Sequence, residues 1–214
     1  MSVLMESRVR KRLSSAERRA KILAAALRAF ARDGYDGTTM DAIAGRAQVT
    51  KPVLYDHFSS KQTLFLTVLE SIRDRLIAKG RSIVEAGGDP EQRFRLSVDA
   101  FLEFVEREPE AARVLLTVPS GDAAAAKLSR QVQAGASAGL TTLLATFTAE
   151  SAPWRLHVAT EFLKEGLHAV AIWWLAHPGP SRKEIVDVIT RMVWPGRQTR
   201  ARSTGTRRSR RAVG

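Results

Sequence analysis

The chain has no cysteine, which excludes disulfide staples, thiolate zinc sites and cysteine nucleophiles together and leaves no thiol redox chemistry. Histidine is scarce too, with only His57, His157, His168 and His177. Long apolar runs are missing: the greasiest stretch, Ala169 to Ala176, is far short of the roughly 20 residues that cross a bilayer, so no membrane association is expected. Arg8, Arg10, Lys11 and Arg12 are followed by no apolar segment of secretory type, and the expectation is a cytoplasmic protein. A glycine-rich phosphate loop, a nucleophile elbow and an HExxH pattern are all absent, so no catalytic residue is proposed and the chain does not read as an enzyme.

One sign of charge is in excess, with a net charge of +12, but its placement matters more than its sum. Residues 1–14 carry +3 and residues 197–214 carry +7, the latter from Arg197, Arg200, Arg202, Arg207, Arg208, Arg210 and Arg211, leaving only +2 on the body. A nucleic-acid footprint cannot be argued from that total. The basic arm and the arginine-rich tail are expected to be flexible.

What is present is helical periodicity. Ile22, Ala26 and Phe30, flanked by Leu23 and Leu27, form one apolar face of a helix over residues 15–33, capped by Ser14 or Ser15 and ended by Gly34. Thr38 or Thr39 can cap a short helix from Met40 to Ala47, and Thr50 a third one opening at Lys51-Pro52, where first-turn proline is tolerated. Further helices are expected from Ser60 toward Gly87, from Pro90 to Glu108, from Pro109 to before Pro119, from Asp122 to Glu150, from Pro153 to Ala176 and from Ser181 to Val193. No alternating strand pattern bounded by hairpin turns occurs, so the expected fold is all-α.

Two short helices joined by a three-residue turn form a helix-turn-helix. Within it Ile43, Ala44, Val49, Leu54 and Phe58 are apolar and pack inward, while Leu54 and Phe58, four apart, turn Lys51, Pro52, Val53, Tyr55, Asp56 and His57 outward. The first turn of such a helix meets base edges in the major groove: Lys51 can bond guanine, and Pro52 or Val53 can touch a thymine methyl.

The run from Thr39 to Phe58, TMDAIAGRAQVTKPVLYDHF, followed by Ser59-Ser60-Lys61, resembles the DNA-binding domain of the tetracycline-repressor (TetR) family over about residues 15–65. The resemblance implies that Thr39, Tyr55, His57 and Lys61 hold phosphates, with Thr50 at the start of the reading surface. It departs from the family pattern at Gln48, where the turn commonly holds glycine, and at Pro52; Gln48 must bear the turn's backbone geometry. Lys51, Pro52, Val53 and Gln48 complete the candidate DNA-binding set.

A late Trp-Trp-Leu-Ala-His-Pro segment is similar to the family's dimerisation region. The resemblance thus implies an amino-terminal three-helix helix-turn-helix domain at residues 15–62 and a larger helical effector-binding and dimerisation domain at 63–196, between the arm (1–14) and the tail (197–214). Phe101, Phe104, His157, Glu161 and Phe162 are candidate lining of an effector cavity; Leu167, Val170, Trp174, Ile185 and Ile189 are candidates for a homodimer interface of the last two helices. His157, Glu161, Glu165 and His168 share a stripe, but the two histidines stand eleven residues apart, about 16 Å along a helix, and no metal site is expected. The reading is a ligand-responsive repressor with no cofactor, a small-molecule effector and an inverted-repeat operator on double-stranded DNA. The alternative is a helical small-molecule-binding or scaffold protein with no sequence-specific DNA binding.

Overall fold

A computed structural model describes residues 14–145 and 152–193; the basic arm, the end of the alanine-rich helix and the arginine-rich tail lie outside the described residues. Helices α1 (Ser15–Gly37), α2 (Met40–Ala47), α3 (Lys51–His57), α4 (Lys61–Glu85), α5 (Pro90–Arg107), α6 (Pro109–Leu116), α7 (Ala123–Ala145), α8 (Pro153–Ala176) and α9 (Arg182–Val193) follow one another, with no strand among the described residues. The fold is all-α.

Local chemistry sets the helix ends. Ser14 and Glu17 form a reciprocal capping box on α1, which satisfies two otherwise orphaned amides. Gly34 takes φ 70° and breaks the α1 geometry, as its missing side chain permits; the chain then makes one more turn to Gly37. Thr39 caps α2 through the Ala42 amide. Thr38 instead donates its hydroxyl to the Gly34 carbonyl at 2.7 Å and is buried. Thr50 occupies the cap position of α3 but its hydroxyl makes no capping bond.

The chain divides into two compact units, and the division does not follow the expected boundary at residue 62. Of the described residues, 14–74 and 110–134 form one unit, and 75–109, 135–145 and 152–193 form the other. In the first unit, α6 and the start of α7 return to the amino-terminal helices, burying Ala111, Ala112, Val114, Leu115 and Leu116. Phe30, Tyr35 and Phe65 form an aromatic cluster with centroids 4.8 to 5.9 Å apart, edge-on and offset arrangements that favour such rings.

Polar bonds fasten the same region. The Tyr35 hydroxyl donates to Asp122 at 3.0 Å and Gln62 Nε2 to the same carboxylate at 3.2 Å, while the Gly121 amide donates to Asp36 at 2.9 Å. Asp122 also accepts from the Ala124 and Ala125 amides at the start of α7. The Ala125 amide, then Gln62 and Tyr35, hold the Asp122 carboxyl below its ordinary value near 3.8, against an opposing effect of burial. Burial first, then the Asp122 bond, pushes the Tyr35 hydroxyl well above its ordinary value. A depressed carboxyl favours folding above its unfolded pKa and loses that contribution as pH falls through the folded one. Acid melting should therefore steepen below about pH 4, and Asp122→Asn should flatten that limb in thermal melts taken between pH 3 and 6.

The second unit has its core where α5 meets α9. Phe94, Val98 and Leu102 pack on Ile185 and Val186, and half-buried Leu163, Leu167, Val170 and Trp174 from α8 close over them with Phe101, Ile189 and Val193. Arg182 ties α9 to α5 through Asp99 at 2.9 Å and Glu106 at 2.7 Å, and Arg95 pairs with Asp187.

This packing corrects two expectations. Leu167, Val170, Trp174, Ile185 and Ile189 belong to this unit's own core, because α8 is apolar on more than one side and its inward stripe is the one that α5 covers. Phe162, expected to line a cavity, is 75% exposed. It lies on an outward stripe with Trp154, Val158, Ile172 and Trp173, which share one face at 3.6 residues per turn. His157 is exposed as well, whereas Phe101, Phe104 and Glu161 are half-buried; the Phe101 ring stacks on His168, and Glu161 pairs with Lys164 at 2.5 Å.

Candidate nucleic-acid interface

Helix α3 is seven residues long and Leu54 is its one buried side chain. Leu54 is fully buried and the capping residue Phe58 almost so, as are Ile43, Ala44 and Ala47 of α2 and Ile22, Ala25, Ala26 and Ala29 of α1. The alanines let the helices approach closely, and α1 packs on α2 while α2 packs on α3. With Leu54 and Phe58 turned inward, Lys51, Pro52, Tyr55 and Asp56 are exposed and Val53 and His57 half-buried. These residues form one outward face led by the amino-terminal turn of α3, the part of such a helix that reaches base edges.

The turn before α3 is built on Gln48, which adopts φ 52°, ψ 43° and is the one non-glycine residue with positive φ among the described residues. Its amide donates to the Gly45 carbonyl at 3.1 Å and that of Val49 to the Ala44 carbonyl at 3.1 Å, so the left-handed residue closes α2. The Gln48 side chain is held as well: Lys21 Nζ donates to Gln48 Oε1 at 2.9 Å. The left-handed conformation costs a side-chain-bearing residue roughly 1–2 kcal/mol. Gln48→Gly should accordingly raise the melting temperature by about 2–4 °C, the Lys21 bond being exposed and weak; a lower melting temperature would show that the bond outweighs the backbone cost.

Lys51 does not project freely. Its ammonium lies 2.9 Å from Asp41 Oδ1 and 3.1 Å from Oδ2, and this bond raises its pKa. Asp41 stands in the first turn of α2, where its charge also complements the helix dipole. Its pairing with Lys51 follows from the return of the chain through the turn, which brings the first turns of α2 and α3 together.

Lys61 is a further correction. Its ammonium donates to the carbonyls of Tyr35 at 3.0 Å and Thr38 at 3.1 Å and lies 4.2 Å from the centroid of the Tyr35 ring. Two of its three N–H groups are therefore committed to closing the α1–α2 corner, where a phosphate role had been expected. Thr39 and Thr50 remain exposed: Thr39 accepts from the Ala42 amide at 3.2 Å, which leaves its O–H able to donate.

Among the described residues no cluster of histidine, aspartate or glutamate can hold a metal ion, and no helix is long and apolar enough to cross a membrane.

Comparison with known proteins places this geometry. Residues 22–68 match the family of bacterial regulatory proteins, tetR family. The HTH-type transcriptional activator FasR of Mycolicibacterium smegmatis is 43% identical over 104 residues, 49% of this chain and 48% of FasR. The HTH-type transcriptional repressor KstR of the same organism is 37% identical over 93 residues, 44% of this chain and 46% of KstR. The chain thus matches about half the length of these relatives. A TetR-like transcriptional regulator from Rhodococcus sp. RHA1 superposes with a TM-score of 0.73 at 26% identity, over 86% of this chain and 98% of that one. The segment that matches the tetR family of bacterial regulatory proteins thus contains the whole helix-turn-helix, Thr39 to Phe58.

Proposed function

We propose that this protein is a DNA-binding transcriptional regulator that acts in the cytoplasm as a homodimer on an inverted-repeat operator. The observation that carries the reading is the α3 face, where Lys51, Pro52 and Tyr55 stand exposed on a helix anchored by one buried leucine. One such helix reads one half-site. Two copies related by a two-fold axis read two half-sites about 34 Å apart.

The second copy covers the outward stripe of α8. Trp154, Val158, Phe162, Ile172 and Trp173, with Val188 and Met192 of α9, are 46% to 75% exposed, a run of large apolar side chains of the kind that a partner covers. The seam proposed is therefore on the last two helices but through this exposed stripe, in place of Leu167, Val170, Trp174, Ile185 and Ile189, which pack within the unit's own core. Phe162→Glu should give a monomer in sedimentation and lower operator affinity at least tenfold, because the half-sites are then bound one at a time.

A small organic effector shifts the population between DNA-competent and incompetent states, and repression is the regulatory outcome proposed. No catalysis is assigned. The deciding experiment is selection of duplexes from a random pool by the full chain, followed by a shift assay on the winners across a salt range. Enrichment of an inverted repeat supports the reading, and folded dimer with no preference at any salt would establish the scaffold alternative.

A further inference from the structure

We propose that Asp41 is a specificity-determining residue: it holds the Lys51 ammonium so that the lysine can serve a base acceptor in the groove while being withheld from phosphate. This rests on the DNA-binding reading above and extends it to a residue that contacts no base itself.

The geometry supplies the argument. Lys51 is the first residue of α3 and carries a long, flexible side chain that would otherwise sweep across the groove and the adjacent backbone. Both oxygens of Asp41 lie within 3.1 Å of its ammonium, and both side chains remain more than half exposed. The pair is therefore on the surface, where it contributes little to stability, and its consequence is felt when a polyanion arrives.

An ammonium has three donors. Asp41 accepts one of these through Oδ2 and holds Oδ1 close beside the ammonium, so the lysine is left to make a directed bond, which suits an acceptor such as guanine N7 or O6. Binding a phosphate in place of Asp41 leaves an unpaired carboxylate facing the DNA backbone, beside Thr39 in the same turn. Non-specific duplex offers mainly phosphates, so Asp41 weakens that mode selectively. The operator offers the base acceptor and leaves the pair intact.

The test uses the full chain, a duplex carrying the selected inverted repeat, and a scrambled duplex of equal length, with Asp41→Asn, Lys51→Met and the double variant. For Asp41→Asn we expect scrambled-duplex affinity to rise about fivefold at low salt. Its log affinity against log salt should steepen by about 0.9 for each lysine gained at a phosphate. Operator affinity should move less than twofold, so that discrimination falls about fivefold. In the Lys51→Met background the same asparagine change should alter scrambled-duplex affinity less than twofold.

An equal rise in both backgrounds would overturn the inference, since Asp41 would then act as bulk charge with no route through Lys51. So would unchanged discrimination in Asp41→Asn. Thermal melts of all three variants should stay within about 4 °C of the parent, because both residues are exposed and the only stabilising contribution given up is the first-turn charge of Asp41. If the parent chain selects no sequence at all, the DNA-binding reading fails first and is recognised by that result alone; a selective parent with additive variants removes this inference and leaves the reading standing.

Discussion

The double variant Lys51→Ala, Tyr55→Ala should lose operator binding about a thousandfold while melting as the parent does. Both side chains are exposed, and exposed substitutions away from special backbone geometry usually change stability by less than about 0.5 kcal/mol. Each contact to a base edge or phosphate is worth about 1 kcal/mol at the low end. The proposed dimer would make each contact twice, so four would be lost, or about 4 kcal/mol, which is roughly a thousandfold. Binding within threefold of the parent, measured by fluorescence anisotropy on the selected duplex, would show that α3 does not read DNA.

Leu54→Ala should act in the opposite manner, removing stability and DNA binding together. Leu54 is fully buried, and a buried leucine truncated to alanine costs about 2–5 kcal/mol, depending on how far the cavity collapses. For a chain of this length that corresponds to a fall in melting temperature of roughly 5–20 °C. The functional loss follows from helix length. A helix of seven residues has no stability of its own in water, so α3 keeps its place through Leu54 and the neighbouring Phe58. Leu54→Met keeps the volume and should cost less than about 1.5 kcal/mol. If Leu54→Ala melts like the parent and binds normally, some other contact holds the helix.

The comparison of these two variants explains why the amino-terminal domain could be read from sequence. Its apolar residues fall at helical spacing with polar residues between them, its helix starts carry Ser14, Thr39 and Thr50, and its turn violates glycine preference at one position, Gln48, which indeed takes the left-handed conformation. Each of those signals is local. The misread features are tertiary. On α8 the inward stripe of Leu163, Leu167, Val170 and Trp174 and the outward stripe of Trp154, Val158 and Phe162 are both apolar, so periodicity alone cannot say which belongs to the chain's own core. Lys61 has a side chain long enough to turn toward solvent or inward, and the carbonyls of Tyr35 and Thr38 that draw it in become neighbours only once α1 and α4 have packed. Asp122 and Gly121 carry no local pattern that names Tyr35 and Asp36 as their partners.

The close approach at Gly121 bears on which sequence changes this protein can accept. A β-carbon at position 121 would lie 2.9 Å from the Asp36 side chain, although Gly121 has no positive φ and the loop that holds it is exposed. Alanine there must displace the carboxylate that accepts the Gly121 amide, and Asp36→Gly would make room for it. The two positions, 85 residues apart in the chain, are thus joined in substitution: a side chain at 121 is accommodated by swinging the exposed Asp36 carboxylate aside and giving up its bond, so a shorter residue at 36 should lessen the cost of a change at 121.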